Sequence, residues 1–238
     1  MKVNENKILI TGATRGIGLA LLKKFHEKGN HIIAVARNQN ALNVLSEKFR
    51  NITLIACNLG DGNSVSELVK EIKQHHQDVN TLINNAGIQV NFYHSRFGED
   101  SNKIQEIKDE IQINLTAPIT LVHELIPLLL KNENASIINV SFGLAFAPKK
   151  SAPVYCGTKA GIHLFTKALR YQYENSGLKV FEIIPPLVAT DMTEGRGSGK
   201  ITAEQLVDEF IKAYKNDLFE VNIGKTKLLR LIQRISPR

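Results

Sequence analysis

The chain has 238 residues, 43% of them hydrophobic and 22% charged, enough apolar material for a large core that needs neither a structural metal nor a disulfide framework. Its two cysteines, Cys57 and Cys156, have no ligand-like spacing, and no His/Cys/Asp cluster has metal spacing. The formal net charge of +7, from 30 Lys+Arg against 23 Asp+Glu, comes without an Arg/Gly repeat, zinc-finger spacing or aromatic ladder, which argues against nucleic acid as the main partner.

Short apolar runs alternate with amphipathic stretches along the chain. The runs are Ile8–Ile10, Ile32–Val35, Leu54–Ala56, Thr81–Ile83, Ile137–Val140 and Val180–Ile184. Most are continuous rather than alternating, as expected of strands covered on both faces in a parallel sheet. A first helix is expected from about Ile17 to Lys28, ending at Gly29. A second starts after Asp61-Gly62-Asn63-Ser64 and carries Val65, Leu68, Val69 and Ile72 on one stripe. A long helix places Ile104, Ile107, Ile111 and Leu115 at helical spacing, and Pro118 and Pro127 should kink or shorten its continuation. A fourth runs from about Val154 to Asn175 and stops near Gly177.

This rhythm implies an α/β fold, a doubly wound parallel sheet with helices on both faces. No linker divides the chain, so 1–238 reads as a single domain. Gly195-Arg196-Gly197-Ser198-Gly199-Lys200 lacks a leading strand and phosphate-loop spacing. It reads as part of a mobile loop at about 190–201. Residues 223–238 read as a basic C-terminal tail, with Lys225, Lys227, Arg230, Arg234 and Arg238 and no acid. The chain has no apolar run of roughly 18 residues and opens without a signal-peptide core. A cytoplasmic location, with no integral membrane segment, is the expectation.

Thr11-Gly12-Ala13-Thr14-Arg15-Gly16-Ile17-Gly18 follows the first strand and opens the first helix. Glycines there permit a tight turn and close approach of backbone to a pyrophosphate, which the N–H groups of the helix terminus would bind. The ribose of a dinucleotide is met at the end of the second strand, roughly 20 residues on. Ala36-Arg37-Asn38 stands there instead of an acid. Arg37 and Arg15 suit a 2′-phosphate, so NADP(H) is favoured over NAD(H); the bland reading makes both solvated surface arginines.

Further motifs fall in order: Asn84-Asn85-Ala86-Gly87 at the fourth strand's end, Asn114 in the long helix, Tyr155-Cys156-Gly157-Thr158-Lys159 opening the fourth helix, and Pro185-Pro186-Leu187-Val188-Ala189-Thr190-Asp191-Met192 after the sixth strand. Together these resemble the short-chain dehydrogenase/reductase family over about residues 7 to 222. Gly143-Leu144-Ala145-Phe146, Pro153-Val154-Tyr155-Cys156 and Arg234-Ile235-Ser236-Pro237 further resemble its DltE-like branch, which supplies no substrate. The resemblance implies a Rossmann-type seven-stranded sheet of order 3-2-1-4-5-6-7. It implies hydride transfer between a nicotinamide cofactor and a small-molecule carbonyl or alcohol, in a homodimer or homotetramer built through the long helices. The cofactor would meet Gly12, Thr14, Arg15, Gly16, Ile17, Gly18, Arg37, Asn58, Leu59, Asn85, Ala86, Gly87, Tyr155, Lys159, Pro185, Val188 and Thr190. The catalytic set would be Asn114, Ser141, Tyr155 and Lys159.

The residues themselves carry part of this. Tyr155 alone is a weak base, with an ordinary phenol pKa of about 10; Lys159, four residues on along one helical face, supplies an ammonium that favours the phenolate. By resemblance, Asn114 holds a water that links Lys159 to solvent. Two departures stand out. The family's proline-glycine reads Pro185-Pro186, and the position thirteen before Tyr155, where the family places its serine, is Phe142. Ser141 is one residue earlier and in an extended strand faces the other way, so it substitutes only if the strand end bulges or turns. Displacement of this serine leaves a second reading, a cofactor-binding regulatory or scaffold protein with weak turnover. A third is a basic protein acting on nucleic acid or a membrane surface. Phe142, Phe146, Leu187 and Met192, with Phe92 and Tyr93, are candidate apolar walls for a substrate. Cys156 and His163 read as packing residues, and His75-His76 as interacting with helix-end carbonyls or solvent.

Overall fold

The computed structural model describes residues 1–93, 96–195 and 197–235. Arg196 of the glycine-rich loop and Ser236, Pro237 and Arg238 of the basic tail lie outside the described residues.

Seven parallel strands form one sheet in the order β3-β2-β1-β4-β5-β6-β7. They are β1 Lys7–Thr11, β2 His31–Ala36, β3 Ile52–Ala56, β4 Thr81–Asn84, β5 Ser136–Val140, β6 Lys179–Ile184 and β7 Glu220–Asn222. The continuous apolar runs are explained by burial on both faces. Along β1, Ile8 and Ile10 join the core under helices α1 (Gly16–His26), α2 (Gln39–Lys48) and α7 (Ala203–Lys215). Leu9 between them joins the opposite core, under α3 (Gly62–His75) and α5 (Ala117–Leu129). Both cores exclude water almost completely, and the alternation fixes which side chains face which layer.

The long central helix departs from the sequence expectation. It begins as α4 (Ile104–Ile111), passes through a π-helical turn at Gln112–Thr116 and continues as α5. The π-turn precedes Pro118, which has no N–H for a regular helix bond; the Ala117 N–H instead reaches back to Gln112. Asn114 thus sits on a local widening of the helix rather than a uniform face. Helix α6 (Pro153–Gln172) lies beside it, with proline at its start where a missing N–H costs nothing. A buried ladder ties α6 to the sheet: Asn84 donates to Asn139 at 2.9 Å, and Asn139 donates to Thr166 at 2.9 Å.

The basic C-terminal segment is a helix, α8 (Thr226–Ile235), rather than an irregular tail. The Thr226 hydroxyl anchors it by donating to the Ile184 and Ile223 carbonyls, at 3.1 and 2.8 Å. The 190–201 loop is closed at its base by a bridge of Val188 to Ile201. None of the helices among the described residues is long and apolar enough to cross a membrane.

Candidate active site

The carboxyl ends of the strands open onto a cleft of about 470 Å³. Its cofactor-side wall is made largely of backbone. Gly12 and Gly16 have φ of +68° and +54°, a region that side chains resist. A Cβ on Gly12 would lie 2.9 Å from the Ala86 Cα, and one on Gly18 would lie 2.1 Å from the Gly12 carbonyl oxygen. These are steric reasons for glycine, independent of any ligand. Thr11 locks the turn to the fourth strand: its hydroxyl accepts from the Asn85 and Ala86 N–H groups at 3.0 and 3.1 Å. The Asn85 amide then donates to the Thr11 and Gly12 carbonyls.

The N-terminus of α1 opens on this wall with no acidic residue in its first turn, leaving its dipole free for an anion. Thr14, Arg15, Ile17, Arg37, Asn58, Leu59, Gly87, Pro185, Val188 and Thr190 also border the cleft. Arg15 is mostly exposed and lies 3.4 Å from the Asp191 carboxylate across the opening; Arg37 is exposed at the far end. These elements present a hydrogen-bonding backbone, an anion site and a basic rim along one groove. A dinucleotide fits that chemistry.

The opposite wall is built from buried side chains. Tyr155 and Lys159 are 6% and 4% exposed, one helical turn apart on α6, with the ammonium 5.6 Å from the Tyr155 ring centroid. The Lys159 Nζ donates to the Val140 carbonyl at 2.9 Å. Burial lowers its pKa to about 8, opposed by the negative charges of Glu110 and Glu182. Asn114 clamps the segment after β4: its Oδ1 accepts from the Ile88 N–H at 2.9 Å and its Nδ2 donates to the Ile88 carbonyl at 2.8 Å. Gly87 is the close neighbour of both groups, since a Cβ there would lie 3.2 Å from the Asn114 Oδ1 and 3.6 Å from the Lys159 Nζ.

Both Ser141, the expected catalytic hydroxyl, and Phe142 border the cleft. Phe142 itself is extended, with φ −170° and ψ 154°. The Ser141 hydroxyl donates to the Glu182 carboxylate, which also meets His163 Nδ1 at 2.9 Å. The Phe142 ring stands edge-on to Tyr155, with centroids 6.0 Å apart. Among the suggested substrate walls, Met192 borders the cleft, but Phe146 and Leu187 do not. Phe146 packs edge-on against His163 at 4.8 Å and lies beneath the Arg230 guanidinium at 4.4 Å. Leu187 sits by the Gly197 backbone. Phe92 packs against Phe97, and Tyr93 is exposed beneath the Lys149 ammonium.

Sequence reasoning missed two acids, Glu110 and Glu182, both fully buried. Glu182 carried a legible signal: it interrupts Val180-Phe181-Glu182-Ile183-Ile184, a strand apolar on both faces. An acid is rarely buried without partners, and His163 and Ser141 are those partners. Glu110 gave less warning, because Asp109-Glu110 reads as an ordinary solvated helix edge.

A family model described as short chain dehydrogenase matches residues 6–201. The chain is 33% identical over 236 residues to an uncharacterized oxidoreductase, DltE, of Bacillus subtilis (strain 168), covering 97% of this chain and 92% of that protein. Its fold is similar to that of a short chain dehydrogenase from Burkholderia cenocepacia J2315 in complex with NADP. The TM-score is 0.86 at 22% identity, covering 100% of this chain and 96% of that one. A short chain dehydrogenase/reductase from Burkholderia phymatum in complex with NAD gives a TM-score of 0.84 at 18% identity, covering 98% and 95%.

Proposed function

The chain belongs to the short-chain dehydrogenase family, and from that premise we propose that it is an NADP(H)-dependent oxidoreductase acting on a carbonyl/alcohol pair in the cytoplasm. The observation that carries this reading is the buried Tyr155–Lys159 pair at the floor of a groove suited to a dinucleotide. When bound, the nicotinamide supplies or accepts the hydride at the substrate carbon.

The chain's own residues handle the proton and the geometry. In the reducing direction the Tyr155 hydroxyl gives its proton to the substrate oxygen, and the Lys159 ammonium stabilises the phenolate left behind. Lys159 is held by the Val140 carbonyl, so its position does not depend on substrate. Asn114 keeps the Ile88 segment fixed beside the pair. Phe142 excludes water from one side of Tyr155 but offers the substrate oxygen no hydrogen bond. A missing donor of that kind typically costs about 10²–10³ in rate, so a slow enzyme on small carbonyls is expected.

The cofactor preference is supported by Arg37 and Arg15 on the adenosine side and by the absence of an acid at the end of β2. A homodimer or homotetramer is supported by apolar side chains left exposed on α4 and α6, namely Ile104, Ile111, Leu164 and Tyr171; sedimentation velocity tests it, and a monomer at micromolar concentration rejects it. For the chemistry the test is Tyr155→Phe. Turnover of NADPH with any accepted carbonyl should fall at least about 10²-fold, with the NADPH dissociation constant within a few-fold of wild type. Turnover near the wild-type rate would reject the assignment of Tyr155.

A further inference from the structure

Glu110 is the least expected group near the site. It lies in the last turn of α4, one helical turn before Asn114, and is fully buried. One carboxylate oxygen accepts from the Val90 N–H at 3.0 Å. The other is buried without a hydrogen-bond partner among the described residues. Asn114 and Glu110 therefore grip the same short segment, at Ile88 and Val90, two residues apart. Gly87 at its start fits between Asn114 and Lys159, and α4 itself packs on α6.

A solvated-edge acid would not be arranged this way. Pinning one backbone N–H needs only a neutral acceptor such as glutamine, and an unpartnered buried carboxylate oxygen is costly. Lys159 is the cation at the other end of the same segment, beside Gly87 where Glu110 holds Val90, and the two charges attract. We infer that Glu110 is a positioning residue for the Tyr155–Lys159 pair, a buried counter-charge that keeps Lys159 an ammonium beneath the Gly87–Val90 segment.

The surrounding groups sharpen the consequence. Tyr155 and His163 stand on α6. Glu182 faces Lys159 from β6 but is already engaged by His163 and Ser141. The segment from Asn85 to Phe92 carries no titratable side chain. Burial raises the Glu110 pKa to about 7, against the lowering effects of the Val90 N–H and Lys159, while burial lowers that of Lys159 to about 8. The counter-charge is thus largely absent well below 7 and present as Lys159 approaches its own titration. The negative charge of Glu110 raises the Lys159 pKa against burial, so the window over which Lys159 stays charged extends to higher pH than burial alone permits.

This inference rests on the reading of Tyr155 and Lys159 above, so its test has a readout that needs no turnover. Glu110→Gln keeps an acceptor for the Val90 N–H and removes the charge. In protein labelled at lysine Cε, the Lys159 resonance, identified by its loss in Lys159→Met, should titrate at least about 0.5 pH unit lower in Glu110→Gln than in wild type. Kinetically, kcat/KM of the variant should match wild type within about twofold near pH 6 and fall at least about threefold near pH 8. An unchanged Lys159 midpoint would overturn the inference whatever Tyr155→Phe does. Loss of the inference alone leaves Tyr155→Phe inactive, whereas failure of the catalytic reading leaves Tyr155→Phe active with the Lys159 midpoint still shifted. Should Glu110→Gln not fold, wild type decides: Lys159 Cε must show a step at the Glu110 titration, and a single-step curve would overturn it.

Discussion

The two walls of the cleft are built on opposite principles. The cofactor wall is a backbone surface shaped by what cannot fit: a Cβ on Gly18 meets the Gly12 carbonyl at 2.1 Å. Behind the wall carrying Tyr155 lies a group of buried polar side chains, where Lys159, Glu110, Glu182 and His163 are held away from water. The first is steric, local and tolerant of nothing larger than hydrogen. The second is electrostatic, assembled from α4, α6, β5 and β6, and within it Glu110 and Lys159 act on each other's protonation.

The sharpest way to break the contrast is on the steric wall. Gly18→Ala should cost about 3 kcal/mol or more of stability, since the obstacle is backbone rather than a flexible side chain. It should also abolish NADPH binding. Gly157→Ala, at a helical glycine with open space around it, should be neutral or stabilise by up to about 1 kcal/mol. Equal melting temperatures for the two variants would mean the glycine turn is not sterically dictated.

On the other wall, Phe142→Ser restores a donor facing the cleft and should raise kcat up to about 10²-fold on small carbonyls. Ser141→Ala should leave kcat within about twofold but destabilise by about 1–3 kcal/mol, because the buried Glu182 loses a hydrogen-bond donor. A large kcat loss in Ser141→Ala with no gain in Phe142→Ser would show that the serine turns inward during turnover.

Lys159→Met separates function from stability. The folded pKa of about 8 lies below the ordinary 10.5, so the fold disfavours the ammonium at neutral pH. Removing it should raise stability by about 1–3 kcal/mol near pH 7 while eliminating turnover. The gain should shrink as pH rises above about 8 and vanish beyond about 10.5, where wild type is neutral in both states. Thermal unfolding against pH checks the sign, and a variant less stable at pH 7 would show that the Val140 contact outweighs desolvation.

The smallest expected effect is at the rim. Arg37→Asp should reduce or invert the preference for NADPH over NADH, a change of at least about tenfold for one charge-assisted contact. Fluorescence titration with both cofactors measures it, and equal dissociation constants in wild type would remove the basis of the preference.

Much of the cofactor wall was legible in the chain because its causes are local. The spacing of Gly12, Gly16 and Gly18 between an apolar run and an amphipathic helix already implies a turn that must approach another backbone closely. The parallel sheet was legible for a related reason: uninterrupted runs such as Ile32–Val35 have no face to give to water. That Phe142 stands thirteen residues before Tyr155 was also visible, but strand alternation alone left open which of Ser141 and Phe142 serves a substrate.

The π-turn at Gln112–Thr116, the folding of the basic tail into α8 and the burial of Glu110 were not legible. The last two depend on what another segment brings: Ile184 offers a carbonyl to Thr226, and Val90 offers an N–H to Glu110; Pro118 marked the place of the π-turn but not its form. By itself the amino-acid sequence determined six of the seven parallel strands, the glycine turn and the i, i+4 pairing of Tyr155 with Lys159, all short-range consequences of periodicity and sterics. Only the tertiary structure decided which charges are buried together, because desolvation and Coulomb interaction depend on distances between residues far apart in the chain.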